Sequence, residues 1–270
     1  MIGITERDTS TGIHVVTLNY RADPFKRSSA QWLSNTRAGL DDAQWRQQYE
    51  NDWTVSSGHG IYVEHFNREV HVARSVLEVM ENTTTLRGFD FGLQPAGVWV
   101  QESATGQLFV VRELVTWDGR GDQVTSDAVG LGEQVQSVSN RRFIGCYFED
   151  YADPAGWQRS QTDSRTAVEK LQEYGIRCNP GPVTFEARRT AMRTALTRMV
   201  GGKPWLVISP VCTMLTEGFL GAYKYRQTGE GAETVLKYEP LKNAWSHVMN
   251  ALEYVIGSVI GSLDEPESEY

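Results

Sequence analysis

The sequence is poor in cysteine and has no long apolar run. Its 270 residues include three scattered cysteines, Cys146, Cys178 and Cys212, which indicate neither a disulfide framework nor a zinc site. No stretch reaches the roughly 18 apolar residues of a membrane-spanning helix. The amino-terminal residues also lack the basic start and apolar core of a secretory signal. We therefore expect a soluble, intracellular protein with no membrane contact.

Two catalytic motifs are missing as well. No Gly-x-x-x-x-Gly-Lys-Ser/Thr segment occurs, and the glycines at 130–132 stand in a helical pattern without the lysine. The printed sequence therefore contains no ATPase motif of this kind. A Gly-x-Ser-x-Gly segment is absent too, which argues against an α/β-hydrolase.

The net charge of −8 is unevenly distributed along the chain. Residues 263–270 contain four acids and no base, and we expect this acidic tail to be disordered. The segment 187–203 has five bases and no acid: Arg188, Arg189, Arg193, Arg198 and Lys203. This pattern predicts a basic face on an acidic protein, and an ordinary solvated helix face is the alternative.

The sequence pattern divides the chain at about residue 85. Within residues 1–85 it predicts a strand at 13–18 and a helix at 41–53, without a compact core of their own, so this part should lie across a neighbour. In residues 86–262, three strands joined by short turns are followed by alternating helices and strands. This order predicts an α/β fold in which a mixed sheet, an antiparallel meander plus parallel strands, is flanked by helices.

Two aspartates are candidates for a chemical role. Asp90 lies within the apolar strand RGFDFG, where burying a carboxylate is unfavourable unless it binds a cation or a base. Asp153 follows the apolar strand at 143–151, at the kind of strand end where ligands of α/β sheets bind. A divalent metal would remove the repulsion between two such carboxylates and would activate water. The alternative is that each aspartate caps a turn.

Four segments carry a resemblance to a known family: FDFG at 89–92, and the segments 150–166, 173–181 and 242–254. The chain resembles the nuclease domain of a large terminase subunit from a tailed bacteriophage, which has an RNase H-like fold. The resemblance implies an endonuclease that cuts concatemeric viral DNA during genome packaging, with residues 1–85 as the tether to the ATPase part. The implied partners are double-stranded DNA, the ATPase part, the small terminase subunit and the portal, in the host cytoplasm. The ATPase part is then expected on a longer chain or as a separate gene product.

The resemblance also implies a metal site and its catalytic residues. Two Mg²⁺ or Mn²⁺ ions are implied, with Asp90 bridging both and Asp153 as the second ligand. The family has an aspartate at the third position, where Asn250 stands, so the second ion is expected to bind weakly. The explanations are a natural low-affinity site, an engineered Asp→Asn change, or replacement by Glu253 one helical turn further on. His247, one turn before Asn250, is implied to orient the site, bind metal or contact the phosphate, or else to pack on the core surface.

DNA contacts are implied for six basic residues that would neutralise phosphates without sequence preference: Arg159, Arg165, Arg188, Arg189, Arg193 and Lys242. Glu113 and Glu149 are weaker candidates for the metal site. Two other functions stay open. One is a catalytically weak or dead RNase H-like module that binds DNA or the portal, and the other is a nuclease that resembles junction resolvases or transposases.

Overall fold

A computed structural model describes most of the chain: residues 2–8, 14–37, 45–46, 49–51, 60–91, 94–115, 128–159, 165–228 and 235–264. Of the helix predicted at 41–53, only residues 45–46 and 49–51 fall within these ranges. The predicted acidic tail lies outside them from residue 265 onward.

The amino-terminal part contains a hairpin and two short helices. Strand β1 (Ile4–Asp8) pairs antiparallel with β2 (His14–Leu18), and helices α1 (Pro24–Ser28) and α2 (Ala30–Arg37) follow. Asp23 begins α1, because its side chain accepts hydrogen bonds from two backbone N–H groups of the first turn.

A six-stranded mixed sheet forms the centre of the molecule. Its strands are β3 (Thr84–Asp90), β4 (Ala96–Glu102), β5 (Leu108–Val115), β6 (Tyr147–Ala152), β7 (Cys178–Pro180) and β10 (Leu206–Ile208). Their spatial order is β10-β5-β4-β3-β6-β7. The neighbours among β3, β4 and β5 pair antiparallel, whereas β6, β7 and β10 join the sheet by parallel pairing. The predicted α/β fold with a mixed sheet is confirmed, and it is consistent with an RNase H-like fold.

Helices cover both faces of this sheet. They are α3 (Arg68–His71), α4 (Ala128–Arg142), α5 (Ala167–Gln172), α6 (Phe185–Thr197), α7 (Thr213–Glu217) and α8 (Ala244–Asp264). Trp99 packs in the layer of α4 and α5, and its neighbour Val98 packs in the layer of α6, α7 and α8, as the two-residue period of a strand requires. Within the described ranges, no helix is both long enough and apolar enough to cross a membrane.

The sequence pattern does not predict two hairpins outside the sheet: β8 (Met199–Val200) with β9 (Lys203–Pro204), and β11 (Tyr225–Thr228) with β12 (Val235–Pro240). Helix α7 is short, because it gives way to a π-turn at Gly218–Ala222. Gly221 in this turn has a φ of 124°, an angle that glycine adopts without a side-chain clash.

Residues 60–73 pack against the sheet and its helices. Ile61, Tyr62 and Phe66 are buried in the core that includes residues of α7 and α8. The backbone N–H of Ala73 donates to a carbonyl of β10, so this segment covers part of the outer edge of that strand. The segment 60–73, which the resemblance implies to be part of the tether, therefore contributes to the same core as the sheet.

Candidate active site at the ends of two parallel strands

The two candidate aspartates lie at the ends of adjacent strands. Phe89 on β3 pairs with Ala152 on β6 in parallel register, so Asp90 and Asp153 come next along the two strands. The backbone N–H of Asp153 donates to the carbonyl of Phe89 over 3.0 Å, which ties the strand ends together. Burial raises the pKa of Asp90, and the negative charge of Asp153 adds to this effect. The fold thus brings both residues to one edge of the sheet.

Asp90 is buried and is contacted from helix α8. Its exposed fraction is 2%. Nδ1 of His247 lies 2.7 Å from Asp90 Oδ2, and the amide Nδ2 of Asn250 lies 3.4 Å from Oδ1. While burial raises the pKa of this carboxyl, the hydrogen bond and the charge of His247 lower it. Two side chains one turn apart on α8 therefore orient one strand carboxylate.

Asp153 is half-buried and caps a turn. Its Oδ1 accepts from the backbone N–H of Ala155 over 2.9 Å, at the start of the short 3₁₀ turn Pro154–Trp157. Burial raises the pKa of the nearby Tyr254, and the negative charges of Asp90 and Asp153 add to this effect. Asp153 therefore caps a turn, as one alternative predicts, and also lies beside Asp90.

The close packing of α8 on β3 depends on Gly88. A β-carbon at this position would lie 2.0 Å from the backbone carbonyl oxygen of Ala251 in α8. Because glycine has no side chain, the helix backbone approaches the strand directly. The spacing of three and four residues then places His247, Asn250 and Tyr254 on the helix face toward the strand ends.

Asn250 is held by contacts at both ends of its amide group. Its Oδ1 accepts a hydrogen bond from the hydroxyl of Tyr223 over 3.1 Å, and its Nδ2 faces Asp90. The amide nitrogen, rather than the oxygen, is therefore turned toward the carboxylate. A carboxylate at position 250 would instead face Asp90 with a like charge unless a cation lay between them.

Glu253 is fully buried behind this site. Its Oε1 accepts from the Tyr62 hydroxyl over 2.6 Å, and its Oε2 lies 3.4 Å from Nη1 of Arg188. Burial raises the pKa of Glu253, whereas the charge of Arg188 and the hydrogen bond from Tyr62 lower it. In this arrangement the carboxylate oxygens of Glu253 face Tyr62 and Arg188, on the side of Asn250 away from the strand ends.

The donor set offers hard oxygen ligands for one divalent cation. Asp90 and Asp153 supply two carboxylates, which is the ligand chemistry that Mg²⁺ and Mn²⁺ prefer. Among the residues that the structure describes, no group of three or more His, Cys, Asp or Glu side chains is arranged to hold a metal ion. The residues fit a first ion held by two carboxylates, and a second ion would lack an acidic ligand of its own.

The predicted DNA-contacting residues fall into two groups. Arg159, Arg165 and Lys242 are exposed. Lys242 is also close enough to the site for its positive charge to lower the pKa of Asp90 against the larger raising effect of burial. Arg165 forms an ion pair with Glu173. Of these three, Arg159 follows the Asp153 turn and Lys242 precedes α8, so both come from the segments that build the site.

The arginines of α6 lie against the protein rather than in solvent. Arg188 is 9% exposed and faces Glu253, and Arg189 is 6% exposed and pairs with Glu186. Arg193 is half-buried. The long apolar stems of these side chains pack in the core while acidic partners compensate two of the charges. The acid-free basic segment is therefore not a continuous exposed basic face.

The two weaker candidates have partners of their own. Glu149 is exposed and accepts a hydrogen bond from the Tyr151 hydroxyl. Glu113 accepts hydrogen bonds of 2.9 Å from the backbone N–H groups of Met214 and Leu215, at the first turn of α7. Burial raises the pKa of Glu113 to about 7, although these hydrogen bonds lower it. Glu113 is therefore a half-buried helix cap.

Sequence reasoning missed three tyrosines around the site. Tyr254 lies four residues after Asn250, so helical spacing alone could have placed it on the same face. Tyr62 and Tyr223 come from distant segments, and no local signal points to them. Their hydroxyl groups contact Glu253 and Asn250, respectively.

The fold is similar to that of solved large terminases, while sequence comparison finds no relative. No protein-family model and no curated protein matches the chain. The large terminase from the thermophilic bacteriophage D6E superposes with a TM-score of 0.54 at 16% identity, over 86% of this chain and 53% of that one. The same protein in complex with ADP gives a TM-score of 0.55 at 16% identity, over 87% and 53%. The chain thus shares this fold and spans about half the length of the solved chains.

Proposed function

We propose that the protein is a metal-dependent endonuclease that cuts viral DNA during genome packaging. The observation that carries the proposal is the placement of Asp90 and Asp153 at adjacent parallel strand ends. The fold that holds them is similar to the large terminase of bacteriophage D6E. By the same resemblance, we propose concatemeric double-stranded DNA as substrate, and the terminase ATPase part, the small subunit and the portal as partners in the host cytoplasm.

In this proposal the carboxylates of Asp90 and Asp153 hold Mg²⁺ or Mn²⁺. When bound, the ion supplies activation of water and stabilisation of the leaving 3′ oxygen. His247 fixes the orientation of the Asp90 carboxylate through Nδ1. The Ala155 N–H does the same for Asp153. Burial excludes water from the Asp90 side, which strengthens the attraction between its carboxylate and a cation.

DNA binding is assigned to the exposed bases near the site. Arg159 follows Asp153 in the chain, and Lys242 precedes α8 and lies close enough to lower the pKa of Asp90; each would neutralise one backbone phosphate. Such contacts hold the duplex without reading its sequence. The buried arginines of α6 act inside the protein in this proposal, by balancing the charges of Glu253 and Glu186.

Plasmid cleavage with Mn²⁺ tests the proposal. We expect the wild-type protein to nick or linearise supercoiled DNA, and Asp90→Asn and Asp153→Asn to lose at least 100-fold in rate. Glu133→Gln is the matched control, because Glu133 is an exposed acid on α4, in the layer opposite α8. Absence of cleavage by the wild-type protein at every Mn²⁺ concentration, or full activity of Asp90→Asn, would overturn the assignment.

A module that binds DNA without cutting it is the second candidate. The favouring observation is Asn250, whose amide nitrogen faces Asp90 where the resembling family has an acid. In this case Mn²⁺ binding measured by calorimetry would be weak or absent, and DNA binding would persist in Asp90→Ala. If Asn250→Asp alone gains cleavage, the loss of one carboxylate explains the inactivity of the wild-type chain.

A further inference from the structure

A buried hydrogen bond joins the segment before the sheet to the last helix. The hydroxyl of Tyr62 donates to Oε1 of Glu253 over 2.6 Å, across 191 residues of sequence. Tyr62 is 1% exposed and Glu253 is 0% exposed. A carboxylate in such surroundings is unstable without a donor or a counter-charge, so this contact supports the position of Glu253.

The other oxygen of Glu253 is held less tightly. Its Oε2 faces Arg188 Nη1 at 3.4 Å, and neither atom makes a hydrogen bond of ordinary geometry within the described part of the chain. The ion pair with Arg188 compensates the charge of Glu253 but does little to orient its carboxylate. The Tyr62 hydroxyl therefore supplies the short, directional contact at this carboxylate.

Glu253 is linked to the proposed active site through Tyr223 and Asn250. Burial, and then the charge of Glu253, raise the pKa of Tyr223, so the two groups are close. The Tyr223 hydroxyl donates to Asn250 Oδ1, and Asn250 Nδ2 faces Asp90. Because Glu253 lies three residues after Asn250 on one helix, holding it fixes the rotation of α8 at the turn that contacts Asp90.

Tyr62 is itself fixed by the strand-like segment that carries it. Gly60 forms a bridge to Lys224, and the backbone N–H of Ile61 donates to the carbonyl of Tyr223 over 3.0 Å. The Tyr62 ring packs against Phe219, with centroids 5.7 Å apart. The hydroxyl is therefore held at a defined position before it contacts α8.

We infer that Tyr62 is a positioning residue of the proposed active site. It holds Glu253, and through α8 it sets the side chains that contact Asp90. This role rests on the proposed nuclease function. It also makes Tyr62 part of the structure that positions the site, although the resemblance implies that residue 62 lies in the tether.

The test is Tyr62→Phe in the full chain, which removes the hydroxyl and keeps the ring packing. We expect kcat for Mn²⁺-dependent cleavage and the affinity for Mn²⁺ to fall about 10- to 100-fold, with KM for DNA unchanged. Phe66→Leu is the control, because Phe66 lies in the same segment and packs on Phe219 without a polar contact. It should lower the unfolding midpoint and leave kcat and the Mn²⁺ affinity unchanged. The inference is overturned if Tyr62→Phe leaves kcat and the Mn²⁺ affinity unchanged. It is also overturned if both variants lose kcat and Mn²⁺ affinity in proportion to their loss of stability.

Hydrogen exchange in the metal-free protein separates this inference from the proposed function. We expect Tyr62→Phe to speed amide exchange at residues 250–254 of α8, and Phe66→Leu to leave the relative protection of that turn unchanged. If the wild-type protein does not cut DNA, the nuclease proposal fails and exchange alone decides the role of Tyr62. Equal amide exchange at residues 250–254 in wild type and Tyr62→Phe would then reject the positioning role of Tyr62.

Discussion

Gly88 and Ala251 are in backbone contact, with no space for a side chain between the strand and the helix. A β-carbon on Gly88 would lie 2.0 Å from the Ala251 carbonyl oxygen. This contact sets the distance between β3, which carries Asp90, and α8, which carries His247 and Asn250. The geometry of the site therefore depends on a residue that contributes no side chain.

Gly88→Ala is expected to move α8 away from β3. Overpacking of this kind destabilises by about 1–3 kcal/mol, and the shift should also weaken Mn²⁺ binding because the donors to Asp90 move. Gly261→Ala, on the same helix with no atom within 4 Å of the added methyl group, is the control and should be neutral or stabilising. Denaturant unfolding and calorimetry measure both effects. A Gly88→Ala protein with wild-type stability would show that the backbone adjusts freely.

Asn250→Asp should make stability depend on metal. The change adds a third carboxylate beside Asp90 and Glu253, so the metal-free variant should unfold at a lower temperature than wild type. Mn²⁺ should raise the unfolding temperature of the variant more than that of wild type, because binding to the folded state stabilises it. Asn179→Asp, a change to an exposed residue of β7, controls for net charge. Equal Mn²⁺ shifts in Asn250→Asp and wild type would contradict a third ligand position at 250.

The ion pair between Arg87 and Asp150 should be a major source of stability. Arg87 Nε and Nη2 donate to the two carboxylate oxygens over 2.6 and 2.8 Å, and both side chains are buried. Arg87→Leu leaves Asp150 buried without its partner and should cost about 3–5 kcal/mol in the free energy of unfolding. The double variant Arg87→Leu, Asp150→Leu should cost less than the single one. A double variant less stable than Arg87→Leu would show that the pair itself is strongly favourable.

Glu113 should make the protein less stable as the pH rises from about 4.5 to about 7. An unfolded glutamate ionises near 4.5, whereas the folded protein keeps the Glu113 proton to about pH 7, so the folded state binds more protons in this window. The free energy of unfolding therefore falls between pH 4.5 and about 7. Above about pH 7, Glu113 no longer changes it. Glu113→Gln should remove that part of the fall, as measured by urea unfolding at several pH values. An identical pH profile in both proteins would reject a raised pKa at Glu113.

The salt dependence of DNA affinity should distinguish Lys242 and Arg159 from exposed bases on the opposite side of the sheet. If Lys242 and Arg159 each neutralise a phosphate, Lys242→Gln or Arg159→Gln should lower the slope of log affinity against log salt by about one. Arg141→Gln, an exposed change on α4 in the layer opposite α8, should leave the slope unchanged. Fluorescence anisotropy with a DNA duplex over a range of salt concentrations gives the three slopes. A slope loss only in Arg141→Gln would place the DNA on the opposite face.

The strands and the approach of the two aspartates could be predicted because local rules decide them. Apolar runs and short turns predict the meander, in which β5 runs parallel to β3. The crossover through α4 then brings β6 back in the same direction, so that it pairs parallel with β3. Once two adjacent strands end in Asp90 and Asp153, their carboxylates share an edge. The regular spacing on α8 likewise predicts that His247 and Asn250 face the same way, as their contacts with Asp90 show.

Burial of charge and long-range polar contacts could not be predicted from the sequence. Arg188 has the pattern of a solvated helix face, because its partner Glu253 lies 65 residues away in the sequence. The pairing of Tyr62 with Glu253 depends on two segments 191 residues apart. The turn that ends α7 depends on the positive φ of Gly221, while the preceding sequence has an apolar helical pattern.

The position of α8 in the chain has a consequence during protein synthesis. His247 contacts Asp90 across 157 residues, so the strand that carries the first aspartate is made long before the helix that orients it. Until residues 244–264 have emerged from the ribosome, the nascent chain cannot place His247 and Asn250 against Asp90. If the proposed nuclease function holds, chains that stop before α8 are not expected to cleave nearby nucleic acid.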